Sequence, residues 1–203
     1  MIVRKATKQF NLLRRTCYFI NDTRQRRALY LTLVRSIFEH CCQLWSPQNV
    51  SSITIFDKLQ KRAVKWILRE QQESYSDLVF LNKQKELDIL PMKYRFLFSD
   101  LVLFFNIIKN NVEIKLPEYV SRIESHDVKS ITRCSKPIFD GKDNLKYRCQ
   151  LNPKVKCFQD SYFVRTIKNW NMLSYEIRCS DNIDKFKVNL KEHMWLILGL
   201  KPD

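Results

Sequence analysis

The sequence predicts a mainly α protein, and three observations lead there. Glycine occurs only twice, as Gly141 and Gly199, in 203 residues. Hairpin-rich sheets lean on glycine and Asn-Gly turns, so this scarcity disfavours a β-sandwich and also excludes a Rossmann fingerprint or Walker loop. Apolar residues recur at spacings of three and four along most of the chain, the period of an amphipathic helix. A hydrophobic content of 45% beside 28% charged residues fits a packed globular protein rather than a disordered one.

Residues 1–20 read as a first helix with Phe10, Leu13 and Cys17 on one side. Asn21, Asp22 and Thr23 supply N-cap chemistry for a long helix running to about Trp45 and closed by Pro47. In it Leu31, Val34, Phe38, Cys41 and Trp45 keep helical spacing, and Tyr30, Leu33, Ile37 and Leu44 widen the stripe. Ser51 and Ser52 open a third helix that ends near Arg69. Ile53, Phe56, Leu59, Ala63, Val64, Trp66 and Ile67 gather on one side of it. Lys58, Lys61, Arg62, Lys65 and Arg69 gather on the other, within an arc of roughly 100°.

A shorter helix is expected around 76–82, and Pro91 opens a strongly apolar one to about Asn110. Its most apolar window, 96–108, is shorter than the roughly 20 residues that cross a bilayer, so a core helix is expected and no membrane span. Residues 115–160 read as loop-rich, with 138–139 and 145–149 as weak strands and room for one short hairpin. Helical spacing returns over 164–173 and again after Asp181, where Ile183, Phe186, Leu190, Met194 and Ile197 recur.

Charge is distributed unevenly. The formal total is +15; residues 1–69 carry +11, residues 70–132 carry −2 and residues 133–203 carry +6. A polyanion-facing surface is therefore expected mainly in the first third. The expected division is a basic helical bundle over 1–72 and a helical C-terminal region over 73–203. The basic arc of the third helix forms a ridge suited to a phosphate backbone, and no acid shares that arc to make it an ordinary mixed surface. Arg24, Arg26 and Arg27 cluster at the start of the preceding helix, where the dipole favours acids; a phosphate ligand would relieve that misfit. The segment 162–170 interleaves rings with bases, so Arg165 and Lys168 join the nucleic-acid-binding candidates beside rings that can stack nucleotides. A core helix with Phe163, Ile167 and Trp170 inward and both bases outward explains the same spacing.

Metal and catalytic patterns are thin. His40-Cys41-Cys42 and the group Cys134, Cys149, Cys157 and His126 lack the short paired spacing of structural zinc. There is no Gly-x-Ser-x-Gly elbow and no His-Glu-x-x-His helix, although a Cys/His pair distant in sequence stays open. Tyr75-Ser76-Asp77-Leu78 offers one carboxylate where two-metal chemistry needs a cluster.

Residues 29–40 read Leu-Tyr-Leu-Thr-Leu-Val-Arg-Ser-Ile-Phe-Glu-His, followed by Leu44-Trp45-Ser46-Pro47 and then Leu59-Gln60-Lys61-Arg62-Ala63-Val64-Lys65-Trp66-Ile67. Downstream come Leu87-Asp88-Ile89-Leu90-Pro91 with Arg95, the run Ser161 to Leu173 containing Arg165-Thr166 and Trp170-Asn171, and Phe186-Lys187 with Leu190-Lys191. This ordered set resembles the segment after the polymerase palm in non-LTR retrotransposon reverse transcriptases of the jockey and chicken-repeat type. Ser36, Val164 and Ser174 stand where that family has proline, departures that bear on local turns.

The resemblance implies that residues 1–69 form a thumb gripping the RNA/DNA template–primer duplex by its backbone, with a post-thumb region after it. It implies a non-catalytic piece of an RNA-directed DNA polymerase. The metal-binding aspartates, their Mg²⁺ and the endonuclease would lie in segments ahead of these residues, and the palm and fingers would be partners. No catalytic residue, metal ligand or cofactor is expected within the chain. The alternative is a decayed or domesticated relic acting as a protein-interaction module. A membrane-surface role ranks third, because the bundle needs the apolar side of the basic helix. Residues 1–15 show no secretory signal, and seven cysteines without paired spacing suit a reducing compartment. An intracellular, nuclear or cytoplasmic ribonucleoprotein is expected rather than a secreted protein.

Overall fold

A computed structural model describes residues 2–70, 76–123, 145–151 and 155–200. The protein is mainly α, with 68% of the described residues helical, and among the described residues the sheet is one antiparallel strand pair. Packing divides the chain into two units, residues 1–99 with 194–203, and residues 100–193.

In the first unit, α1 (Ile2–Thr16) buries Ala6, Phe10 and Leu13, spaced four and three apart on one face. The Asp22 carboxylate caps α2 (Thr23–Tyr30) by accepting the Arg24 N–H at 2.8 Å. The single long helix expected as far as Trp45 is instead broken. A π-helical stretch, Leu31–Arg35, follows α2, then α3 (Ser36–Glu39), a turn at His40 and Cys41, and α4 (Cys42–Trp45). Hydroxyl groups compete with the ladder here: Thr32 donates to the Ala28 carbonyl at 2.8 Å and Ser36 to the Thr32 carbonyl at 2.5 Å. Cys41 then takes a left-handed φ of 50°, which re-phases the chain. Cys42 rather than Cys41 enters the core, and Leu44, expected on the apolar stripe, is 84% exposed. The Trp45 indole donates to the His40 carbonyl at 2.9 Å, satisfying an acceptor that the broken ladder leaves open.

Asn49 caps α5 (Val50–Leu68), and Ser76 caps α6 (Asp77–Glu86). The first turns of α7 (Met92–Ile108) complete the unit. Phe38, Trp45, Phe56 and Phe96 meet with ring centroids 5.5–5.8 Å apart; such pairs add about 0.5–1.5 kcal/mol each beyond area burial. Phe80, Leu87, Ile89 and Met92 belong to the same core, so packing carries this unit past the boundary near residue 72 that charge suggests. The fully buried Gln60 satisfies itself by accepting from the Tyr30 hydroxyl and donating to the Leu90 carbonyl at 3.0 Å. Glu39 accepts from Arg35 and, at 2.6 and 2.8 Å, from both ends of the Arg95 fork.

In the second unit, β1 (Val120–Arg122) pairs with β2 (Tyr147–Cys149), Val120 opposite Cys149. The strand expected at 145–149 is present in part, with a different partner; residues 138–139 lie outside the described residues. Asn171 brackets β2, its amide oxygen accepting the Tyr147 N–H at 3.1 Å while its amide nitrogen donates to the Tyr147 carbonyl at 2.7 Å. After α8 (Lys156–Gln159), α9 (Tyr162–Met172) buries Ile167 and Trp170, and α10 (Tyr175–Arg178) precedes α11 (Ile183–Ile197). Trp170 packs against Phe104 and Phe186, and Phe186 stacks on Phe105 with centroids 4.4 Å apart. The last turn of α11 belongs to the first unit, and there Ile197, expected on the apolar stripe, is 56% exposed.

Thermal unfolding followed from roughly pH 7 down to about pH 2 is expected to show two opposed trends, one from each unit. Burial pushes the Asp100 carboxyl up to about 6, against the hydrogen bond and charge of Arg165. Its folded value thus exceeds the ordinary 3.8, so its contribution to stability grows as pH falls through about 6, and Asp100→Asn removes that rise. Burial also presses the Glu39 carboxyl upward, but Arg95 and Arg35 outweigh it and hold it below its ordinary value. Its contribution is in place above the unfolded value and is lost as pH falls through the lower folded one. Glu39→Ala should cost about 3 kcal/mol at neutral pH, because Arg35 is left buried without its carboxylate, and should flatten the acid limb.

Candidate nucleic-acid interface

The site begins with the two-sided character of α5. Phe56, Leu59, Ala63, Val64 and Ile67 are buried, which turns the opposite arc outward. Lys58, Lys61, Arg62 and Arg69 are exposed on it, and Lys65 is half-buried. At 1.5 Å per residue the ridge from Lys58 to Arg69 runs about 16 Å. Lys61 lies 5.2 Å from the Phe80 ring centroid and pairs with the exposed Asp77 at 3.5 Å.

The C-terminal end of α5 forms one wall of an open cleft of about 350 Å³, lined by Arg14, Arg26, Arg62, Lys65, Trp66, Arg69 and Glu70. Aromatic faces space these cations. Arg14 and Arg62 lie 5.9 and 5.7 Å from the Phe10 centroid, and Arg26 lies 4.9 Å from that of Trp66. Phe10 meets Trp66 edge-on at 6.1 Å. Arg62 also donates to the Asn11 side-chain oxygen at 3.1 Å. Arg69 ends the helix in the left-handed region, φ 57°, and donates to the Tyr18 carbonyl at 3.3 Å.

The three arginines of α2 separate into three situations. Arg24 is exposed. Arg26, expected to reach outward, is 4% exposed. Its Nε donates to the Ile20 carbonyl at 2.6 Å, Nη1 to the Trp66 carbonyl at 2.5 Å and Nη2 to the Tyr18 carbonyl at 3.3 Å. Burial, then the like charge of Arg69, lower its pKa. Arg26 floors the cleft and does not extend from it. Arg27 is half-buried and donates to the Leu87 carbonyl and, at 3.3 Å, to the Asp88 carboxylate. The acid missing from the first turn of α2 stands one position ahead as the cap Asp22, so no phosphate is needed to relieve that helix end.

In the second unit Lys168 is exposed, whereas Arg165 turns inward, correcting its expected outward position. It donates to the Asp100 carboxylate at 2.9 and 3.2 Å and to the Asp160 carbonyl at 2.8 Å. The Tyr162 hydroxyl donates to the Asp100 carbonyl at 3.0 Å. This is a folding contact.

Arg14 and an exposed aromatic pair beside its neighbours were not foreseen from the sequence. Arg14 joins the cleft from α1, and the only signal was its place four residues after Phe10, on the same face. Tyr18 and Phe19, 71% and 66% exposed, stand on the turn that Arg26 and Arg69 hold. Among the described residues no three His, Cys, Asp or Glu side chains come together as metal ligands, and no helix is long and apolar enough to cross a membrane. His126, Cys134 and Tyr75 lie outside the described residues.

Urea unfolding separates the roles of the α2 arginines. Arg26→Ala should cost about 3 kcal/mol, since buried carbonyls lose charged donors, and Arg24→Ala should stay within about 0.5 kcal/mol. Comparison with protein-family models, curated proteins and solved structures finds no match to this chain.

Proposed function

We propose that this chain binds nucleic acid through its phosphate backbone, without reading sequence and without nucleotide-transfer chemistry of its own. The observation that carries this reading is the convergence of Arg62, Lys65 and Arg69 with Arg14 from another helix on one open cleft. The outward arc of α5 extends it through Lys58 and Lys61. Side chains of this kind, spaced three and four apart, meet successive phosphates while presenting nothing shaped to a base edge. The resemblance to the thumb of non-LTR retrotransposon reverse transcriptases gives the grip a purpose. In such a polymerase these residues would hold template–primer duplex while a palm, with its own aspartates and Mg²⁺, extends the primer.

Duplex binding measured against salt tests the proposal. With about five phosphates neutralised, log affinity should fall against log salt with a slope near −4.5. Charge reversal at Lys61, Arg62 and Lys65 should abolish binding at moderate salt; affinity that ignores salt, or survives the reversal, sinks the reading. If an acidic protein displaces duplex more readily than duplex displaces it, the interaction-module reading takes its place. Arg69→Gly isolates binding from folding. Relief of left-handed strain, about 1 kcal/mol, offsets a lost hydrogen bond of about 1 kcal/mol. The urea midpoint should hold while the salt slope loses about one unit.

A further inference from the structure

Tyr18 and Phe19 form an edge-on pair, centroids 5.9 Å apart, and both rings point into solvent. A lone exposed aromatic is ordinary, because folded surfaces keep much apolar area. Two adjacent ones on a tethered turn are a different matter. The Tyr18 carbonyl accepts from Arg26 and Arg69, and the Ile20 carbonyl accepts from Arg26. The polar side of the turn is therefore bound to Arg26 and Arg69, which line the cationic cleft, while its two rings stay exposed. Little backbone freedom remains to be lost when a flat ligand stacks there.

We infer that this tethered turn and the cleft together take an unpaired nucleotide, a phosphate lying among Arg14, Arg62, Lys65 and Arg69 and its base stacking on Tyr18 or Phe19. The inference rests on the nucleic-acid reading above and adds that the preferred ligand carries a single-stranded segment beside its duplex. Along its length a duplex keeps its base faces stacked inside, so away from its ends only an unpaired base offers a face to these rings. Stacking on an exposed ring is sequence-tolerant, in keeping with the lack of base-edge readers. An anionic bilayer also attracts bases beside aromatic rings, but its flat surface does not enter a concave site lined by cations.

The experiment compares a blunt duplex with the same duplex bearing a four-nucleotide overhang, made once in DNA and once in RNA. 2-Aminopurine occupies the first unpaired position. Overhang is expected to bind about tenfold more tightly than blunt duplex, with quenched 2-aminopurine fluorescence, in line with one stacked base. The double variant Tyr18→Ala/Phe19→Ala should bring overhang affinity down to the blunt value and leave binding of a duplex closed at both ends by hairpin loops of abasic linker unchanged. Both rings are exposed, so its unfolding midpoint should match the parent's. The DNA and RNA arms identify which strand is held. Equal, salt-sensitive binding of blunt and overhang substrates overturns this inference and leaves the phosphate reading standing. No binding of either overturns both. Co-sedimentation with phosphatidylserine vesicles that the double variant abolishes overturns it in favour of a membrane.

Discussion

The Arg26 guanidinium sets the geometry on which the cleft depends. It joins the carbonyls of Tyr18 and Ile20, in the turn after α1, to that of Trp66 in the last turn of α5, forty residues after Arg26 itself. A buried charge is tolerable only when its donors are satisfied. Here carbonyl dipoles serve in place of a carboxylate, and the Trp66 ring lies against the cation. Because the bonds run to backbone, they fix the path of the chain as well as a side chain. Arg69, the residue that caps α5, donates to the same Tyr18 carbonyl.

Cations crowded into one cleft repel, and the protein offsets this with rings more than with acids. Two unit charges about 4 Å apart in water repel by about 1 kcal/mol, while a cation over an aromatic face gains about 0.5–2 kcal/mol. Phe10 serves Arg14 and Arg62, and Trp66 serves Arg26. The carboxylate in the lining, Glu70, is bound by Lys83. A carboxylate partner would have used guanidinium N–H groups of Arg14 and Arg62; contact with a ring face does not consume them. Such a site is close to balance when empty and gains from any polyanion.

The legible parts of this protein are those decided within one helix. The arcs of α5 could be read because burial of Phe56, Leu59, Ala63, Val64 and Ile67 fixes the opposite face by the helical period alone. Where a residue's role depends on a distant segment, the reading runs out. Arg24 and Arg26 sit two positions apart on α2 with the same chemistry. One meets solvent and the other meets Trp66, forty residues away. Arg165 has the spacing of an outward base, and its inward turn depends on Asp100 sixty-five residues earlier. The break at Cys41 was hidden differently: the apolar pattern of residues 31–45 is compatible with one continuous helix. Only side-chain hydroxyls at Thr32 and Ser36 hint that the ladder is contested. The cleft combines both situations, a legible ridge and an illegible partner, Arg14.

Arg69 makes the cost of that arrangement visible. Among the described non-glycine residues with positive φ, Asp88 and Asn110 are types that tolerate the left-handed region through their short polar side chains. Cys41 stands where the chain must be re-phased. Arg69 has neither excuse, since glycine would end α5 at least conformational cost. What a glycine cannot supply is a guanidinium that leaves the helix axis, reaches the Tyr18 carbonyl and faces the cleft. Strain held at a helix end, in a residue whose side chain lines the proposed binding site, is more economically explained by that site than by the fold. The same left-handed turn carries the chain onward to Glu70, whose N–H reaches back to the Lys65 carbonyl at 3.0 Å and closes the helix. One residue thus terminates the ridge, braces the aromatic turn and extends the cationic lining, and its unfavourable backbone follows from serving all three.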